Sequence, residues 1–306
     1  MTIEEIVPKW LEYKRPFVKE STFASYVLAS RVTLLPEFGR CDKITEDMVQ
    51  DFALKCLAKG LSKRTIGDRL MVLKMIVKFA SSKKWMEYCE WKVIYPTSTN
   101  AKAEINVLTP AEHKKTLDYI KDHFTFRALG IYISLTAGLR IGEVCGLKWE
   151  DVDCEKGIIR VQRTVERIYV ADTNARSTKI VINTPKTTAS RRDVPMCKEL
   201  LSMMKPLKKV VNEKFYVLTN AENPTEPRAY RKFFHELMKK IGMPLVRYHD
   251  LRHTFATRCI ESKCDYKTVS ALLGHSSISI TLDMYVHPDT SQKRNAVNKM
   301  FKALGR

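Results

Sequence analysis

One stretch limits what this chain can fold into more than any other: VIYPTSTNAKAEINVL, residues 93–108, where the helical hydrophobic pattern stops. Pro96 followed by Thr97, Ser98, Thr99 and Asn100 makes a polar, turn-rich segment that suits neither helix nor strand. A chain of 306 residues with such a break reads as two domains. Residues 1–92 are expected to form a purely helical domain and residues 109–306 a second, mixed one, with 93–108 as the linker.

The first domain is punctuated by local helix signals. Thr2 with Glu5 has the spacing of a capping box, ahead of Ile6, Val7, Trp10 and Leu11 on one face. Pro8 falls within the first turns, where it is tolerated. A second helix is predicted from about Ser21 to Leu35, stopped by Pro36-Glu37-Phe38-Gly39. Thr45 caps a third, with Glu46 and Asp47 at the positive end of its dipole, and it ends near Gly60. Ser62 caps a fourth, which carries Ile66, Leu70, Leu73, Ile76, Val77 and Ala80 at helical spacing.

Beyond the linker, Thr109, Pro110 and Glu112 mark a sharp helix start. Leu129 to Leu135 is a buried helix ending at Ala137-Gly138, and another begins with Arg140. After Trp149 the pattern changes to short β-branched runs, 157–162 and 179–182, with Arg191-Arg192-Asp193-Val194-Pro195 as the last strand. Between them RTVERIYVADTNARSTK has turn residues Asp172, Thr173 and Asn174, giving a hairpin inserted in a small antiparallel sheet. Helices follow over 197–210, 227–241, 249–262, 265–273, 278–285 and 289–303. The fold class is mainly α with a small antiparallel β-sheet in the second domain.

Composition narrows the function. Lys+Arg 53 against Asp+Glu 34 leave a formal charge of +19, which points to a nucleic-acid partner through counterion release. The 44% hydrophobic content supports packed cores and excludes a disordered basic tail. The 8 cysteines are scattered without a C-x-x-C pair, so neither a disulfide framework nor a zinc ribbon is expected. The opening MTIEEIVPKW is no signal peptide, and no apolar run approaches the roughly 20 residues of a membrane span. The expected location is the bacterial cytoplasm, at the nucleoid, with no membrane partner.

Residues suited to chemistry cluster in 246–287, which contains His249, Arg252, His275 within LLGHSS, and an isolated Tyr285. Upstream, TAGLRIGEVCGLKWEDVD offers Arg140 and TPKTTASRRDVP offers Lys186. Two imidazoles, guanidinium groups and a phenol suggest work on an anion. The backbone break before Arg140 frees its side chain to enter a cleft, with Glu143 one turn on to hold it. Plainer roles exist for each. Arg140 also reads as a helix-start arginine paired with Glu143 or Glu150, and Lys186 as a solvated turn lysine. His249 and His253 have an i, i+4 spacing that suits zinc, but no Glu follows His249 and no cysteine pair assists. His253 then reads as a packing residue beside Thr254 and Phe255, and Tyr285 as a core aromatic beside Leu282 and Met284. Lys63, Arg64, Arg69, Lys74 and Lys78 read on pattern alone as a solvated helix face.

The ordered set Arg140, Lys186, His249, Arg252, His275 and Tyr285 resembles, in identity and in chain order, that of the tyrosine site-specific recombinases, the phage-type integrases and Xer-type resolvases. The resemblance is strong from about Thr109 to Tyr285 and loose before that. It implies a C-shaped clamp on double-stranded DNA, a helical, SAM-like core-binding domain followed by a catalytic domain. It implies strand exchange through a 3′-phosphotyrosine, without metal or cofactor. In that scheme Tyr285 is the nucleophile, and its phenol, with an ordinary pKa of about 10, needs a base, for which His249 is the candidate. Arg140 and Arg252 fork onto the non-bridging oxygens, His275 adds a hydrogen bond, Lys186 protonates the leaving 5′-oxygen, and Glu143 supports Arg140. Lys63, Arg64, Arg69, Lys74, Arg191, Arg192 and Arg247 become candidate DNA contacts.

The 163–182 hairpin is longer than the family needs and is expected to touch DNA or a neighbouring subunit. After Pro288, as the first position of a new helix, Val297, Met300, Phe301 and Leu304 form an apolar stripe on helix 289–304. By resemblance this helix is exchanged in trans within a DNA-bound homotetramer, with accessory DNA-bending or excision factors as further partners. Many integrases open with an arm-binding domain, whereas this chain opens on the core-binding helices. GLRIGEVCGLKWEDVD leans towards the integrase of a mobile element. An Xer-type resolvase, a type IB topoisomerase and a non-catalytic DNA-binding protein are the alternatives.

Overall fold

The computed structural model describes residues 1–96, 106–170, 177–185, 190–285 and 290–304. Of the expectations above, those on Thr97–Asn100, the hairpin turn Asp172–Asn174, Lys186 and Pro288 lie outside the described residues. Contacts divide the chain into two compact units, Met1–Lys102 with Arg167–Lys179, and Ala103–Glu166 with Ile180–Arg306.

In the first unit, α1 (Ile3–Lys14) starts where the Thr2 N–H donates to the Glu5 carboxylate at 2.9 Å, and it buries Ile3, Ile6, Val7 and Trp10. The second expected helix is interrupted. α2 (Glu20–Ala29) passes through a widened π-type turn, Ser30–Leu34, into the short α3 (Leu35–Phe38). Pro36 has no N–H to give to the carbonyl four residues back, so the regular ladder cannot run through this point. α4 (Glu46–Ala58) and α5 (Lys63–Ser82) begin as expected, with the hydroxyls of Thr45 and Ser62 accepting from the N–H groups of Met48 and Thr65. Trp10, Leu34, Phe38, Phe52, Ile66 and Ile76 form the core.

In the second unit, α6 (Pro110–Asp122) carries the expected capping box between Thr109 and Glu112, and α7 (Phe126–Ala137) is buried almost all round. The short α8 (Ile141–Cys145) follows. β1 (Val152–Asp153), β2 (Ile158–Val161) and β5 (Arg192–Pro195) form an antiparallel sheet in the order β1-β2-β5, with Ile159 opposite both Val152 and Val194. β3 (Thr164–Tyr169) and β4 (Thr178–Asn183) pair with each other as a separate two-stranded sheet. The expected single sheet is therefore two: β2 is the central strand of the first, with β1 and β5 on its two edges, and the hairpin pairs apart from it. The far part of this hairpin, 167–179, groups with the first unit, where Lys179 pairs with Glu20 at 2.5 Å.

The remaining elements are α9 (Lys198–Lys208), α10 (Pro227–Lys240), α11 (Tyr248–Glu261), α12 (Tyr266–Leu273), α13 (Ile278–Tyr285) and α14 (Thr290–Ala303). Tyr132, Trp149, Tyr230, Phe234 and Tyr248 are among the large side chains of this core. The Tyr248 hydroxyl lies 2.7 Å from Ser134 Oγ and 3.2 Å from the Gly130 carbonyl, which fixes α11 against α7. Among the described residues no helix is long and apolar enough to cross a membrane.

Candidate active site

Two left-handed glycines shape the site. α7 ends at Gly138 with φ +67°, and a Cβ there would lie 2.5 Å from the Phe255 ring, so no other residue fits without displacement. α12 ends at Gly274 in the same conformation, φ +64°. Each turn releases backbone carbonyls at the negative end of a helix dipole. Arginines occupy both ends.

Arg252, on α11, is 1% exposed. Its Nη1 donates to the Gly138 carbonyl at 2.8 Å and its Nη2 to the Leu273 carbonyl at 2.5 Å. Burial, then the charge of Arg140, pushes its pKa down to about 9, which still leaves it a cation at neutral pH. Among the described residues these two carbonyls are the partners seen for its five N–H groups.

Arg140 is the residue immediately before α8, with extended backbone. Its N–H donates to Glu143 Oε2 at 2.9 Å, its Nη1 to Glu143 Oε1 at 2.8 Å, and its Nη2 to the Gly274 carbonyl at 3.4 Å. Glu143 is 4% exposed and also takes both terminal nitrogens of Arg192, at 3.1 and 3.0 Å. Burial alone would raise the Glu143 pKa. Arg192, and after it Arg140, outweigh burial and hold the carboxyl below its ordinary value. One carboxylate thus orients two guanidinium groups and leaves a positive balance facing the cleft.

His275 follows Gly274 directly, and its Nδ1 lies 2.9 Å from the buried Thr281 hydroxyl. Burial, then Arg252 and Arg140, pushes its pKa down to about 4, so the ring is neutral. Tyr285 closes α13 and packs half-buried near Phe255, Cys259 and Val269. Burial lifts its phenol to about 12, against the opposing pull of Arg252 and Arg140. Its hydroxyl lies 2.5 Å from Nδ1 of His253. His249, one turn earlier on α11, is open to solvent and meets His253 edge-on, with ring centroids 4.7 Å apart. Desolvation, then Arg252 and Arg140, keeps the His249 pKa below its ordinary value.

The fold therefore brings Arg140, Glu143 and His275 to one cleft, whose lining includes Thr164, Pro185 and Ser190; Arg252 is anchored to the same two helix ends, and His249 and Tyr285 lie within electrostatic reach of both Arg140 and Arg252. Lys186, next in sequence after Pro185, is outside the described residues. His253 belongs to the site through its contact with Tyr285, although its sequence context suggested packing alone. Arg192 was expected to face DNA. Its side chain is instead 6% exposed, with the guanidinium held by Glu143 and by the Leu272 carbonyl at 2.6 Å. The other basic candidates are more open. Arg191 is exposed, and Arg247 is 73% exposed while pairing with Asp250 at 2.9 Å. Lys63 and Arg64 are exposed on α5, with the Lys63 ammonium over the Tyr95 ring; Arg69 is half-buried, and Lys74 pairs with Glu90 at 3.0 Å. Among the described residues no group of His, Cys, Asp or Glu side chains is arranged to hold a metal ion.

Guanidinium groups, neutral imidazoles and a phenol brought together in this way suit a phosphodiester. The model of the phage integrase family matches residues 106–292. The chain belongs to that family. This tyrosine recombinase is 31% identical over 325 aligned residues to a XerC-like tyrosine recombinase of Caldanaerobacter subterraneus subsp. tengcongensis, covering 98% of this chain and 83% of that protein. It is 27% identical over 301 residues to the transposase from transposon Tn916 of Enterococcus faecalis, covering 90% of this chain and 71% of the relative. Among solved structures, the integrase of transposon Tn1549 in complex with a circular intermediate DNA superposes with a TM-score of 0.76 at 25% identity, over 98% of this chain and 99% of that one. The recombinase is a DNA strand transferase, and DNA is its partner.

Proposed function

We propose that this recombinase integrates and excises a mobile element, cutting and rejoining DNA through a 3′-phosphotyrosine at Tyr285. The observation that carries the chemistry is the Tyr285 phenol within the electrostatic reach of two guanidinium groups, those of Arg252 and Arg140, already oriented by helix-end carbonyls. The N–H groups of both arginines bind the non-bridging phosphate oxygens, and His275 adds a further hydrogen bond. His249, neutral and solvent-facing, takes the phenolic proton as the Tyr285 oxygen bonds to phosphorus. Lys186 gives a proton to the departing 5′-oxygen. The 5′-hydroxyl of a second duplex then attacks the phosphotyrosine and restores the phenol, so no bond energy is lost to water.

Mobile-element DNA as the substrate rests on similarity to the Tn916 transposase and the Tn1549 integrase. The XerC-like relative favours a second reading, resolution of dimeric replicons. The two differ in product. The first predicts a circular element and a resealed junction from the chain's own flanking DNA, and the second predicts monomers from a dimeric circle.

On a nicked duplex that traps the intermediate, the wild type should form a covalent adduct in EDTA, and Tyr285→Phe should bind DNA but form none. An adduct in that variant removes Tyr285 from the role. Lys186→Ala should cut an ordinary duplex poorly and be rescued when sulfur replaces the leaving 5′-oxygen, whereas Arg140→Ala should not. Equal rescue of both contradicts the assigned roles.

Assembly as a tetramer with α14 exchanged in trans is supported by an apolar stripe that is exposed among the described residues. Val297, Met300, Phe301 and Leu304 are 52%, 50%, 52% and 70% exposed. Covering each contributes roughly 1.5–3 kcal/mol. Deleting residues from Asn295 onward should preserve single-site binding and abolish synapsis. Full recombination by the shortened protein would refute the exchange.

A further inference from the structure

The histidine expected to serve Tyr285 is His249, yet the imidazole that touches the phenol is His253. Its Nδ1 lies 2.5 Å from the Tyr285 hydroxyl, and the two rings meet at 5.6 Å and 53°. His253 is only 5% exposed on α11, with the ring of His249 edge-on to its own at 4.7 Å. Tyr285 lies on α13, in a different element from His253 on α11, so the bond ties the two helices together at the phenol. The Tyr285 ring packs on the buried cluster Ala256, Val269 and Leu273, and among the described residues the bond to His253 is the one that holds its oxygen.

We propose that His253 is a positioning residue for the nucleophile: it accepts the Tyr285 O–H through Nδ1 and so aims the oxygen's lone pairs away from α11, into the cleft where phosphorus arrives. Proton position fits this assignment. The phenol stands near 12 and the His253 ring near 4, so the proton stays on oxygen and the imidazole is a neutral acceptor protonated at Nε2. Such a weak base is unsuited to carrying the proton away, and that step is left to His249. The inference rests on Tyr285 being the nucleophile.

The test is single-turnover adduct formation on the nicked duplex at saturating DNA, with binding measured separately. His253→Leu keeps the apolar bulk and removes the acceptor. It should slow adduct formation on the order of a hundredfold and leave DNA affinity unchanged, because a small misplacement of an attacking atom costs about that much. In His253→Asn the amide oxygen stands where Nδ1 stood but cannot take up a proton, and it should restore most of the rate. Wild-type speed in the leucine variant overturns the proposal. Equal failure of leucine and asparagine also overturns it, and makes His253 a proton carrier. Should the leucine variant fail to fold, the histidine 15N spectrum of the wild-type protein decides. His253 should show an unprotonated Nδ1 whose resonance moves in Tyr285→Phe, and a protonated Nδ1 rejects the proposal. An adduct formed by Tyr285→Phe would instead refute the nucleophile assignment itself.

Discussion

Replacing Arg192 with methionine separates a buried strut from a DNA contact. The methionine side chain fills similar space but removes two charge-assisted N–H bonds to Glu143 and one each to the Leu272 and Ser190 carbonyls. Breaking a buried ion pair by deleting one partner costs about 3–5 kcal/mol. Here Glu143 keeps Arg140 at 2.8 Å, so the lower end applies, about 3 kcal/mol. With a urea m-value of about 2 kcal/mol/M, the unfolding midpoint of the second unit should fall by about 1.5 M. Hydrogen exchange through the urea transition resolves that unit from the first, which should be unaffected. Arg192→Lys should recover only part of the loss, since an ammonium cannot fork onto both carboxylate oxygens. A phosphate contact would behave in the opposite way: stability unchanged, and the slope of log affinity against log salt reduced by about 1. A midpoint shift below about 0.3 M together with a changed salt slope would refute the strut.

Three further outcomes follow from the same geometry. The folded Glu143 pKa lies below its ordinary value, so its pairing stabilises fully above about pH 4.3 and is lost as pH falls through the folded value; the stability gap between wild type and Glu143→Gln should shrink below about pH 4. A constant gap down to pH 2 would contradict this. Gly138→Ala should lower stability by about 1–3 kcal/mol, through the positive φ and the clash with Phe255, and slow cleavage by moving the carbonyl that seats Arg252; an unchanged melting temperature would contradict it. Thr281→Val removes the partner of His275 Nδ1 and should slow adduct formation by about tenfold at unchanged DNA affinity, as measured in single-turnover assays.

What was legible in the sequence was local. Thr109, Pro110 and Glu112 announce α6 because a capping box is completed within four residues, and the Ala137-Gly138 break before Arg140 is likewise written in adjacent letters. Glu143 was found as the partner of Arg140 because it is one turn away. Arg192 was misplaced because its partner lies 49 residues upstream, and nothing in R-R-D-V-P tells which of two neighbouring arginines turns inward. On a strand the two must face opposite ways, and Val194, two residues on, is buried; that alternation was the available signal for Arg192. His253 was missed for a similar reason, since its i, i+4 partner His249 suggested metal or packing while its real contact is 32 residues downstream. The interruption of the second helix was foreshadowed only by Pro36, which announces a stop but not a widened turn before it.

Arg252 closes the ends of two helices at once, α7 through Gly138 and α12 through Leu273. A gene copy that no longer needs to cut DNA is therefore not free to discard it, because its loss orphans two buried carbonyls. The Tyr285 hydroxyl, by contrast, leaves only one imidazole nitrogen without a partner. Decay of such a copy should begin at the tyrosine. Among relatives of this chain, an arginine kept at this position says little about surviving activity, and the phenol is the letter to inspect first.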